Sequence, residues 1–75
     1  MTVEDVLKNI TCGENVCPIN IYNNVGKEHT QFEYGDFVNG KVHPSYLREE
    51  VDHWTQYEGN GVVSITLKWK TDDGR

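Results

Sequence analysis

Residues Val62-Val63-Ser64-Ile65-Thr66-Leu67-Lys68-Trp69 constrain the fold more than any other stretch of this chain. Val63, Ile65, Leu67 and Trp69 alternate with Val62, Ser64, Thr66 and Lys68. A period of two is what a half-buried strand requires, because successive side chains leave a strand on opposite faces. Its β-branched residues and its tryptophan suit a pleated, one-sided surface. The rest of the chain therefore has to supply strands to lie beside this one and a layer to cover its apolar face.

With 75 residues the chain is expected to form a single domain, 1–75, ending in a frayed tail at 71–75. A domain of this size buries only about 60% of its unfolded surface, so its core is small. A composition 36% hydrophobic and 25% charged is that of a globular rather than a disordered chain. A ligand pocket of roughly 300 Å³ would take a large share of such an interior, which argues against a small-molecule enzyme. No apolar run approaches the ~20 residues of a membrane span. The opening Met1-Thr2-Val3-Glu4-Asp5 has neither the basic start nor the apolar core of a secretory signal. The expected setting is the cytoplasm, and Cys12 and Cys17 are expected there as reduced thiols.

Upstream of the final strand, Thr2 with Asp5 makes a shortened capping box. Val3, Val6, Leu7 and Ile10 follow at amphipathic-helix spacing, predicting a helix over about 3–11 that Gly13 terminates. The segment 16–22 reads as a first strand that begins at Pro18 or lies at an edge, with Ile19 and Ile21 inward. Residues 23–27 are turn chemistry, and 30–34 close a hairpin. Residues 35–40 read as a loop, and Pro44 opens one helical turn. A third strand spans 51–57. Val51 and Trp54 are three apart and can share a face only across a β-bulge. The turn Glu58-Gly59-Asn60-Gly61 leads into the final strand. The predicted fold class is α+β. The N-terminal helix packs on one face of a four-stranded antiparallel sheet, in the order α-β-β-(short helix)-β-β.

Chemistry is sparse. Cys12 and Cys17 are one pair with four residues between them and no second pair, far from the spacing of structural zinc sites. The sequence has no glycine-rich phosphate loop, no nucleophile elbow and no basic patch. No catalytic residue, metal or cofactor is expected. Charge carries more information. The net charge is −5, and residues 28–58 hold seven acids against two bases while the remaining segments cancel. Nucleic acid and anionic membrane repel such a surface, so neither is an expected partner; a basic protein surface is. Glu49, Glu50, Asp52 and Glu58 are the candidate charge-bearing contacts, and Trp54 and Tyr57 the candidate aromatic anchors.

The opening Met1-Thr2-Val3-Glu4-Asp5-Val6-Leu7, the strand Ile19-Asn20-Ile21-Tyr22 and the run Tyr46-Leu47-Arg48-Glu49-Glu50-Val51 through Trp54 resemble small uncharacterised proteins of low-GC Gram-positive bacteria and their phages. The resemblance implies an anti-defence role, such as that of an anti-CRISPR protein. On this reading a phage- or mobile-element-encoded inhibitor acts in the host cell and binds a host protein, its acidic face imitating nucleic acid. The alternative is a structural module that assembles as a homodimer through a sheet edge.

Overall fold

In the computed structural model, residues 1–57 and 61–68 are described. Glu58, Trp69, most of the last turn and the 71–75 tail lie outside them. The final alternating stretch is a strand, β4 (Val63–Leu67), in which Val63, Ile65 and Leu67 are wholly buried and Ser64 and Thr66 are not. It belongs to a four-stranded sheet with β1 (Pro18–Tyr22), β2 (Glu28–Glu33) and β3 (Val51–Gln56), in the order β2-β1-β4-β3.

The sheet is mixed, which corrects the expectation of an antiparallel one. Both hairpins form, β1 with β2 and β3 with β4, but they join through β1 and β4 running parallel, Ile19 beside Val63 and Ile21 beside Ile65. Burial explains the choice. β1 and β4 are the two strands whose inward side chains are all free of solvent, and the most apolar pair takes the centre. Pro18 opens β1 as expected, though the strand is central rather than at an edge. The ladder between Val51 and His53 shifts by one residue, and this bulge places both Val51 (opposite Leu67) and Trp54 (opposite Ile65) on the core face.

Among the described residues three short α-helices join the sheet: α1 (Val3–Asn9), α2 (Tyr34–Val38) and α3 (Pro44–Leu47). Val3, Val6 and Leu7 of α1 are fully buried against Ile19, Ile21, Val51, Val63, Ile65 and Leu67, and Ile10, Tyr34, Phe37 and Leu47 pack around that cluster. α1 ends earlier than predicted because Ile10 is already extended, so Gly13 does not terminate it. α2 stands where a loop was expected. Glu33 N–H donates to Asp36 Oδ2 at 3.2 Å, and that local closure starts a helix despite Gly35. No helix of the described residues is long and apolar enough to cross a membrane.

At the start of α1, Thr2 N–H donates to Asp5 Oδ2 at 2.9 Å and Asp5 N–H to the Thr2 hydroxyl at 3.3 Å. The Thr2 backbone N–H, and after it the Thr2 side chain, holds the Asp5 carboxyl below its ordinary value. A depressed carboxyl pKa contributes stability that is present above the unfolded-state value and lost as pH falls through the folded-state value. An NMR titration should therefore find the Asp5 midpoint below that of an unstructured aspartate, and Thr2→Ala should raise it.

Cys12 and Cys17 are joined in a disulfide, not held as free thiols. A 3₁₀ turn at Gly13–Asn15, with Glu14 and Asn15 both at φ 60°, folds the chain back so that the two Cα atoms lie 5.9 Å apart. Tyr34 N–H donates to the Cys17 carbonyl at 2.9 Å, and a Cβ on Gly35 would come within 3.0 Å of the Asn15 carbonyl oxygen. The bridged loop and the start of α2 thus fit closely together.

Candidate functional site

The sheet has one covered and one open face. Because Ile19, Ile21, Val63, Ile65 and Leu67 point toward α1, their neighbours Asn20, Tyr22, Ser64 and Thr66 point the other way. None of these four is buried. The register extends this open face to both edges. Gln31 lies opposite Asn20, Glu33 opposite Pro18 and Glu28 opposite Tyr22, while His53 and Thr55 lie opposite Thr66 and Ser64. A ladder irregularity next to Ile21 sets Glu28 on the same face as Gln31 and Glu33. The result is a polar surface with Tyr22 on a central strand and carboxylates at the outer strands.

The acidic residues singled out in the sequence do not form one patch. Glu49 turns inward, its Oε1 3.1 Å from His29 Nε2, and the His29 ring meets Tyr46 edge-on at 5.6 Å. Glu50 is exposed and 3.8 Å from the N-terminal ammonium. Asp52 is exposed and 2.8 Å from the ring of its neighbour His53. Trp54 is half-buried on the core face, across the sheet from Asp52's neighbour His53. Tyr57 is 58% exposed just beyond the far end of β3. At about 3.3 Å per residue, Tyr57 stands roughly 16 Å along the strand from Asp52. Glu50 and Asp52 are exposed, each with its own neighbour, while Glu49 and Trp54 are turned toward the interior and Tyr57 stands apart.

Sequence reasoning did not single out Glu28 and Glu33. Both are exposed at the ends of β2. The signal was available in Asn20/Tyr22 and Gln31/Glu33, polar residues alternating with the inward Ile19, Ile21 and Phe32. Also unread was a groove of about 410 Å³ between β2 and the segment that follows α2, lined by Thr30, Gln31, Phe32, Asp36, Lys41, Val42, His43 and Tyr46. Lys41 N–H donates to the Asp36 carbonyl at 2.8 Å, which turns the chain back along the sheet.

Among the described residues no three His, Cys, Asp or Glu side chains converge as a metal site, and the bridged sulfurs of Cys12 and Cys17 offer no thiolate. The chain matches no protein-family model, no curated protein and no solved structure.

Proposed function

We propose that this chain is a binding protein that docks on a basic surface of another protein through exposed carboxylates at the edges of its sheet. One observation carries the reading. The chain carries a net charge of −5, and residues 28–58 hold seven acids against two bases, with Glu28, Glu33, Glu50 and Asp52 exposed. A surface with an excess of one sign attracts and orients an oppositely charged partner. Inhibition of a nucleic-acid-binding host protein, the role implied by the resemblance, is one form this binding can take, since the same carboxylates suit a groove built for phosphates.

The setting follows the thiol state. Disulfides persist in oxidising compartments and are rare in the cytosol, so mass analysis of the native chain, alkylated before reduction, reports where it works.

The test is a charge exchange. Glu28, Glu33, Glu50 and Asp52 are changed to Lys, and Glu49→Gln serves as a control that perturbs the His29 contact without adding surface charge. A tagged wild-type chain should retain a basic protein from a lysate of its natural host, and so should the control. The four-Lys variant, folded by circular dichroism, should lose it. Equal retention by the four-Lys variant contradicts the proposal.

A further inference from the structure

The two outer strands are not equally available. The start of β3 is covered: Thr2 bridges Glu50, Val3 N–H donates to the Glu49 carbonyl at 3.0 Å and Val51 N–H to the Met1 carbonyl at 2.8 Å. Its far end is tied by the Gln56 side chain to the Thr11 carbonyl at 2.8 Å. On β2, by contrast, Thr30, Gln31 and Phe32 pair only with β1 among the described residues, and the 410 Å³ groove runs along them. An open edge of this kind is a template for another strand.

Charge selects which strand. Glu28 and Glu33 lie opposite Tyr22 and Pro18 of β1, four ladder positions apart and on one face. A second copy of β2, added antiparallel and centred on Gln31, would set Glu28 of each copy across from Glu33 of the other. Like charges directly opposite destabilise a pair of strands, whereas opposite charges stabilise it. Self-pairing at this edge is therefore disfavoured at both ends. Between the two glutamates, the inward positions Thr30 and Phe32 border a groove whose apolar lining is Phe32, Val42 and Tyr46. Asp36 and Lys41 enter the groove with one charge of each sign.

We propose that the outer edge of β2 receives an extended basic segment of the partner protein as an added strand. That segment carries Lys or Arg at two positions four residues apart, facing Glu28 and Glu33, with apolar side chains at the alternate positions directed into the groove. The inference rests on the basic-partner reading above and specifies how that partner is held. Main-chain hydrogen bonds supply affinity, and the paired charges and the groove supply selection.

The probe is a labelled ten-residue peptide with Lys-Val-Thr-Val-Lys at its centre, compared with its Glu-for-Lys counterpart and with a version N-methylated on alternate backbone nitrogens. The full chain should bind the Lys peptide, with slowed amide exchange at Thr30–Phe32. It should bind the Glu and N-methylated peptides much more weakly. Glu28→Lys with Glu33→Lys should weaken binding by about tenfold, and by more than Glu50→Lys with Asp52→Lys does. If the N-methylated peptide binds equally well, or the Glu50/Asp52 pair alone controls affinity, strand addition on β2 is overturned while attraction to basic partners stands. Failure of every basic peptide to bind at low salt overturns the strand-addition proposal. If the four-Lys variant of the whole chain also retains its partner, the basic-partner reading falls with it. Protection at Thr30–Phe32 that instead rises with protein concentration identifies a second copy as the occupant and also overturns the proposal.

Discussion

Ile65→Ala is expected to lower the melting temperature by roughly 12–25 °C or to leave the chain unfolded. Ile65 is fully buried at the middle of β4, with Ile21 beside it on the parallel side and Trp54 on the antiparallel side. Truncating such a side chain costs about 2–5 kcal/mol, from lost transfer free energy and from the cavity left behind. A domain of this length has only about 4–11 kcal/mol in total. Ser64→Ala, one residue away on the open face, should change stability by no more than about 0.5 kcal/mol. Thermal unfolding of the two variants checks the assignment of faces, and equal losses would contradict it.

Removing the Cys12–Cys17 bridge should have the next largest effect. The bridge closes a short loop, sequence separation 5, for which chain-entropy reasoning gives about 2 kcal/mol. In a domain of this size that corresponds to a melting temperature lower by roughly 10 °C. The consequence should reach α2, because the Cys17 carbonyl accepts from Tyr34 N–H and Gly35 abuts Asn15. Wild-type protein should melt lower with reductant present, whereas a Cys12→Ser/Cys17→Ser variant should melt at that lower temperature with or without it. A wild-type melting temperature indifferent to reductant would show that the bridge does not contribute.

Much of the architecture is written in local patterns. The period of two at 63–67, the capping box at Thr2 and Asp5, and the Asn and Gly of the 23–27 turn each specify their element within a few residues. In that turn Asn23 Oδ1 accepts from Val25 and Lys27 at 3.0 Å. Even the β3 bulge was legible, because Val51 and Trp54 cannot otherwise both reach the core. The parallel joining of the hairpins was not, since two antiparallel hairpins can meet along any of several edges and no local residue decides which. The charges hold the clue in retrospect: Glu28, Glu33, Asp52 and His53 mark β2 and β3 as the outer strands, which leaves β1 and β4 to pair at the centre.

The candidate site was less legible for a related reason. A run of acids in sequence says nothing of which ones face solvent, and Glu49, adjacent to Glu50, turns inward to His29 while Glu50 does not. The disulfide was missed because a cytoplasmic setting implies reduced thiols, and because its loop closes through left-handed backbone at Glu14, a residue type that rarely adopts it.

If exposed carboxylates drive binding to a basic protein, recovery of the bound partner on the wild-type chain will depend on salt, and a salt series measures this. Screening lengths shrink from about 10 Å at 0.1 M salt to about 3 Å at 1 M. Recovery should therefore be strong at low salt and fall steadily through the series. Recovery that is unchanged at 1 M salt would mean that the contact is apolar, and the charge-based account would be wrong.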